Sequence, residues 1–455
     1  MQSINSNDSS DTFSAEIFSG RGMKESQEVI MKLLLFLFSF FLLFTGCVQE
    51  ASVPETVPAE TSTSPPVQEE VSSGTIPDQP PVEKSAPNAR YLPAFEAQTR
   101  VGGVVTQTPL AIQVLTEELQ SPWGITAKPE GGLLITEKGG TLRIYSPDGT
   151  LSPPIKGFPD VDSRGQGGLL DIALSPQFET DHRIYVSFAE KTPEGSLTAV
   201  GYGILTDGAS EVEDFRTIYR ALPYYQGSGH FGSRIVFAED GTLFVSTGER
   251  QADETRMMAQ SLDNGYGKII HIDREGNLLG DYFSTEQNAL PGIYSYGHRN
   301  VQGMDIHPET GDLWISEMGP MGGDELNLIL PGRNYGWPLV SYGLEYDGTP
   351  VNEGETQREG TEQPVYFWNP VITPSGMTFY DADKIAEWKN NLFIGGLRGS
   401  HIARIVIENR RVVAEERLLE GEGERFRDVA VGVDGALYVI TDSGKLYKIA
   451  QDDGE

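Results

Sequence analysis

The sequence predicts an all-β fold, a six-bladed β-propeller preceded by a signal peptide and a disordered tether. Three observations predict it. The 455 residues include 52 glycines and 28 prolines, a stock of turn formers suited to short strands rather than long helices. A pair of short apolar strands recurs six times, and an apolar run near the N-terminus stops at the chain's lone cysteine. With 38% apolar residues the chain can bury one large all-β domain or two smaller ones.

The repeat begins beyond residue 100. Its stronger second strands are 133–136 (LLIT), 184–187 (IYVS), 243–246 (LFVS), 313–316 (LWIS), 392–395 (LFIG) and 437–440 (LYVI). Each follows a partner strand and a turn, as in the stretch from Ile235 through Asp240-Gly241 and the stretch from Val429 through Asp434-Gly435. Recurrence at roughly 45 to 80 residues is the signature of a propeller, whose blades are small sheets that cannot bury both faces alone. Six units predict six blades. The uneven spacing predicts long insertions gathered at one mouth of the central channel, where function belongs. Asp381 to Lys389 is the one short stretch with helical character.

From Met31 the chain reads Met-Lys, an apolar run from Leu33 to Phe44 broken only by Ser39, and then Thr45-Gly46-Cys47. The run is short for a membrane span, and small residues before a cysteine are what a lipoprotein signal peptidase reads. Residues 31–46 are therefore expected to be a lipoprotein signal peptide and Cys47 the lipidated N-terminus. Phe44 departs from the leucine usual at that place; the alternatives are an uncleaved anchor or a free thiol, and either still implies export. Residues 1–30 read as an extension from a misassigned start. Residues 47–100, rich in Pro, Glu and Thr, read as a linker that cannot repay its ordering entropy, leaving 101–455 as the propeller. The expected location is the outer face of a membrane, touched through the lipid alone.

The 66 acidic residues outnumber the 34 basic ones, a formal charge of −32 that repels phosphate backbones and argues against a nucleic-acid partner. A single cysteine excludes an intramolecular disulfide, a CxxC redox pair and a zinc–cysteine site. Stability has to come from packing.

Four constellations carry candidate chemistry. His230 lies in Gln226-Gly-Ser-Gly-His-Phe-Gly-Ser-Arg234, a glycine-rich loop before a blade strand, where an imidazole serves either as a general base or as a hydrogen-bonded loop residue. Tyr296-Gly-His-Arg299-Asn300 leads into the next blade; Arg299 offers a planar fork for a carboxylate, and Asn300 can both donate and accept. Taken alone, Arg299 reads better as half of a surface ion pair. The loop from Ser316 through Gly319-Pro320 to Asn327 combines glycines with carboxylates, a mixture suited to calcium or to an ordinary turn. Finally, alternation along a strand puts Arg425 and Arg427 on one side, able to address one anion, and Arg398 follows the second strand of the fifth blade.

In their order along the chain, from about Ser121 to Ile449, these motifs resemble the soluble PQQ-dependent glucose and aldose sugar dehydrogenases. The most specific are 165–170 (GQGGLL), 229–234 (GHFGSR), 297–300 (GHRN), Gly319-Pro320 with 324–328 (DELNL), 334–338 (NYGWP) and 425–429 (RFRDV). The resemblance implies a propeller with pyrroloquinoline quinone (PQQ) lying flat over the channel mouth. It implies that His230 is the general base for oxidation of an aldose at C1 to the lactone, with hydride passing to the quinone. It further implies that the carbonyls of Gly319 and Pro320 hold a calcium ion that polarises PQQ, and that Arg299, Arg398, Arg425 and Arg427 cradle the cofactor's carboxylates. Gln166, Asn300 and Tyr366 are implied as further cofactor contacts. Electrons would pass to a membrane quinone or another carrier.

Three positions depart from the family pattern. Gly229 stands where glucose-oxidising members carry an aspartate before the histidine, Arg398 where they have lysine, and Asn369 near where they have an aromatic that covers the substrate. Broad aldose use is therefore expected. Two rival functions are a non-catalytic propeller serving as a surface interaction module and a propeller lactonase, which needs several carboxylate or imidazole ligands converging on a metal at the axis.

Overall fold

The computed structural model describes residues 79–454. Residues 1–78, with the expected signal peptide, Cys47 and most of the expected linker, lie outside the described residues. Among the described residues, no helix is long and apolar enough to cross a membrane.

Six sheets, antiparallel except for the short parallel pairing of Arg333–Asn334 with Ile293–Tyr296, surround a central channel. Their innermost strands are Pro122–Ala127, Leu169–Leu174, Gly232–Phe237, Val301–Ile306, Pro374–Phe379 and Phe426–Val431, and each touches the next until the sixth meets the first. All six predicted second strands are present as the neighbours of these inner strands. They read as nearly unbroken apolar runs because each lies between two other blades: Leu133–Glu137, Leu243–Thr247 and Leu313–Glu317 are buried throughout. The turns between inner and second strands follow simple chemistry. At Asp240-Gly241 the aspartate Oδ1 accepts from the Thr242 amide at 2.9 Å, and Gly241 takes φ +81°, a conformation that side chains resist.

The circle closes without a covalent bond. Strand Leu110–Thr116, at the start of the propeller, pairs antiparallel with Leu446–Gln451 at its end, completing the sixth blade from both ends of the domain. The axis is tied as well. Arg234, on the third blade's inner strand, is buried and donates through Nη1 to Asp171 Oδ1 and Asp428 Oδ2, each at 2.7 Å. Its Nε donates to the Gln302 carbonyl at 2.6 Å, and its guanidinium lies 4.3 Å from the Trp123 ring centroid. One side chain thus links five blades and closes the channel beneath the mouth.

Two expectations need correction. The stretch Asp381 to Lys389 holds only a single 3-10 turn, Ala386–Trp388, with Trp388 packed into the core. Short helical turns occur also at Phe178–Asp181, Asp253–Arg256, Met257–Gln260 and Val351–Gly354. Moreover, residues 79–100, assigned to the linker, form a strap across the outer edges of the fourth and fifth blades. Ala89 and Gln98 are buried, the Gln98 carbonyl accepts from the Phe367 amide at 2.9 Å, and Arg417 pairs with Glu83 at 2.8 Å. The strap covers sheet edges whose backbone groups would otherwise be unpaired. Its composition resembles a linker because few of its residues carry the contact.

Candidate active site

The loops before the inner strands and after the second strands meet at one mouth of the channel. A cavity of about 400 Å³ opens there, edged by Trp123, Lys138, Gln166, Arg425, Arg427 and Asp442.

His230 sits beside it. Its backbone is in the left-handed region at φ +41°, and its amide donates to Gln166 Oε1 at 2.8 Å, so the loop carrying Gln166 and the loop carrying His230 are fastened together. The imidazole is buried, and its Nδ1 stands 2.7 Å from Glu249 Oε1. Burial, reinforced by the Arg299 charge and only partly offset by Glu249, lowers the pKa of His230 to about 4. Burial pushes the Glu249 carboxyl up, but His230, the Arg299 charge and the Gln251 amide together outweigh it and hold Glu249 below its usual value. The ring is therefore neutral at neutral pH, Nδ1–H donates to an ionised Glu249, and Nε2 keeps its lone pair. No other hydrogen bond to the ring occurs among the described residues. Glu249 was not among the sequence candidates; nothing separates it from 65 other acidic residues except its place just after a second strand.

Arg299 is held from several sides. Its amide donates to Glu317 Oε2 at 2.7 Å, and the same carboxylate contacts His298 Nδ1 through Oε1 at 3.1 Å. The His298 ring stacks on Tyr335, and the Arg299 guanidinium lies 5.1 Å from the Trp337 centroid. Nη1 donates to the Met318 and Gly319 carbonyls at 2.9 and 2.8 Å, while Nε is buried without a partner. A buried donor left unpaired favours an incoming acceptor.

Across the mouth, Arg425 and Arg427 both reach Asp442, with Nε to carboxylate distances of 2.8 Å each, as strand alternation predicts. Lys138, not singled out from sequence, adds a cation whose Nζ donates to the Gly165 carbonyl at 2.7 Å. The tricarboxylate PQQ fits such a rim, lined by Lys138, Arg425 and Arg427, while Arg299 lines an adjoining pocket that shares Met318 with it.

Arg398 is exposed beside Leu397, which lines the cavity. Asn300 lies beneath it, buried, with Oδ1 accepting from the Gly232 amide at 3.1 Å and Nδ2 at 3.6 Å from Met318 sulfur. Tyr366 must be withdrawn from the cofactor contacts. It is buried in the core shared by the fourth and fifth blades, its hydroxyl bonded to Glu415 Oε2 at 3.0 Å, because the strand Tyr366–Trp368 turns that ring inward. Asn369 does not cover the mouth either. Its Oδ1 accepts from the Asn88 amide and its Nδ2 donates to the Ala89 carbonyl, each at 2.7 Å, so it clamps the strap.

For a calcium ion, the loop offers the Gly319 carbonyl, shared with Arg299, and the Pro320 carbonyl, which accepts no hydrogen bond among the described residues. Main-chain oxygens of this kind suit a hard cation. Among the described residues no group of three or more His, Cys, Asp and Glu side chains converges, so the ligand set that a metal-dependent lactonase needs is not assembled there.

The chain is similar to known proteins over most of the described residues. A family model described as Glucose / Sorbosone dehydrogenase matches residues 119–448. The chain is 42% identical over 345 residues to the aldose sugar dehydrogenase YliI of Escherichia coli K12, covering 74% of this chain and 92% of the relative. The crystal structure of the soluble aldose sugar dehydrogenase from E. coli in the apo-form superposes with a TM-score of 0.72 at 41% identity, covering 75% of this chain and all of that one. The PQQ-bound aldose sugar dehydrogenase of Streptomyces coelicolor superposes with a TM-score of 0.61 at 27% identity, over 76% and 99% of the two chains.

Proposed function

The chain belongs to the glucose/sorbosone dehydrogenase family, whose relatives include PQQ-dependent sugar oxidoreductases, and on that premise we propose that it oxidises aldose sugars at C1 with His230 as the general base. The observation that carries this reading is the pairing of His230 with Glu249 beside a cavity rimmed by cations. When bound, PQQ supplies the hydride acceptor and calcium at Gly319 and Pro320 the Lewis acid that sharpens it.

The protein's own residues do the rest. Conversion of the cyclic hemiacetal to its lactone removes a hydride from C1 and a proton from the C1 hydroxyl. Nε2 of His230 takes that proton, relieving the positive charge that builds at the carbinol as hydride leaves. Glu249 holds Nδ1–H in place and stabilises the imidazolium that forms, so the base is oriented before substrate arrives. Arg299, Arg425, Arg427 and Lys138 bind the carboxylates of the cofactor, with Gln166 and Arg398 at its edge and Asn300 bracing the floor.

The domain is proposed to be exported and held at a membrane surface through Cys47, with residues 47–78 as the tether and electrons leaving to a membrane quinone or a soluble carrier. The test is reconstitution of the purified chain with PQQ and calcium, followed by dye reduction with a panel of aldoses. Activity that needs both additions supports the reading; PQQ binding without oxidation of any aldose overturns the substrate class, and failure to bind PQQ overturns the function.

A further inference from the structure

We propose that Gln251 recognises the substrate hydroxyl next to the reacting carbon, in the space that a side chain at position 229 would otherwise fill. The inference rests on the reading of His230 as the base and deepens it. A Cβ built on Gly229 would lie 1.9 Å from Gln251 Oε1 and 2.8 Å from Gln251 Cβ. The glutamine side chain therefore lies across the bare face of the residue that directly precedes His230.

Its backbone is fixed there. Arg250 and Gln251 both take left-handed conformations, at φ +74° and +59°. The Gln251 amide donates to Glu249 Oε2 at 2.7 Å, the same carboxylate that holds the His230 ring through its other oxygen. Arg250, buried beneath, donates through Nε to the Gly229 carbonyl at 3.1 Å and through Nη2 to the Gly227 carbonyl at 2.7 Å. The two loops are thus welded at the base, and Gln251 rides on the weld.

The side-chain amide itself is uncommitted. It makes no hydrogen bond among the described residues, and Gln251 is exposed. An aldose whose C1 hydroxyl meets His230 carries its C2 hydroxyl one carbon further on, within reach of a group beside that base. The amide offers two donors and an acceptor, so it serves a hydroxyl of either configuration. Unlike a carboxylate at 229, it sets no charge beside the imidazole. This arrangement favours 2-hydroxylated aldoses as a class over their 2-deoxy analogues, with little preference between C2 epimers.

The test uses the full chain loaded with PQQ and calcium, comparing glucose, mannose and 2-deoxyglucose in the parent and in Gln251→Ala. The parent is expected to prefer glucose and mannose over 2-deoxyglucose by about tenfold or more in kcat/KM, since a site built to bond a hydroxyl rejects the analogue lacking it. In Gln251→Ala that preference collapses through a rise in KM for the two 2-hydroxy sugars, while kcat and PQQ affinity stay close to those of the parent. A preference that is absent in the parent, or unchanged in Gln251→Ala, overturns the assignment of Gln251 while leaving the dehydrogenase in place. A parent that binds PQQ yet oxidises none of the three sugars overturns the functional reading instead, and this proposal with it.

Discussion

Nδ1 of His230 stands 2.7 Å from Oε1 of Glu249, and that contact decides which nitrogen of the ring is basic. With Nδ1–H spent on the carboxylate, Nε2 is the acceptor, and the imidazolium formed in the reaction has a counter-charge already in place. Replacing Glu249 with Gln keeps the shape and removes the charge. Kcat is expected to fall about 10- to 100-fold, the usual cost of losing an orienting partner, with PQQ affinity unaltered. Steady-state kinetics beside a PQQ titration checks this; an unchanged kcat would separate Glu249 from the chemistry.

The lowered pKa of His230 has a consequence for stability with a definite sign. The unfolded chain takes up this proton near pH 6.5, whereas the folded protein resists it until about pH 4. The folded state is therefore favoured fully above pH 6.5, and this contribution is lost as pH falls from 6.5 to 4, reaching roughly 3 kcal/mol. Denaturant unfolding of the cofactor-free protein at several pH values should show His230→Gln with a shallower acid dependence, by about one proton, across that window.

Arg234 ties the inner strands of several blades together at the axis. It pairs with Asp171 and Asp428, and burial raises both of those carboxyls, Asp428 to about 6, so neither tolerates losing its cation. Arg234→Met is expected to cost about 3 to 5 kcal/mol, the penalty of stranding buried charge. Equilibrium unfolding measures it, and a cost below about 1 kcal/mol would mean that the axis relaxes without it.

Arg427 reaches Asp442 through two nitrogens, Nε at 2.8 Å and Nη2 at 3.2 Å, which holds its fork at the cavity edge. Arg427→Met should weaken PQQ binding by about tenfold or more, as expected for one charge-assisted hydrogen bond. Because the residue faces cofactor rather than sugar, KM for aldoses at saturating PQQ should hold steady. Fluorescence or absorbance titration of PQQ, paired with KM, distinguishes the two.

Much of the architecture was legible in the sequence because a blade's second strand is sandwiched between neighbours and must be apolar over its whole length; LFVS at 243–246 and LWIS at 313–316 announce this directly. Arg425 and Arg427 were legible through the two-residue period of a strand. The strap was not, since Ala89 and Gln98 bury themselves one at a time within a polar, proline-rich segment and leave no periodic signal. Tyr366 was misplaced because a strand of three residues turns Tyr366 and Trp368 to one side and Phe367 to the other, and nothing local says which side is buried in the core. Glu249, Lys138 and Asp442 act through partners distant in sequence, so their roles appear only once the mouth is assembled.

Whether His230 Nε2 removes the C1 hydroxyl proton of an aldose is decided by the single-turnover rate of His230→Gln loaded with PQQ and calcium. PQQ binding is expected to stay close to that of the parent and the glucose-dependent reduction rate to fall by about 10²- to 10⁴-fold, the range for loss of a general base. A variant that binds PQQ and turns over at the parental rate would contradict that role for His230.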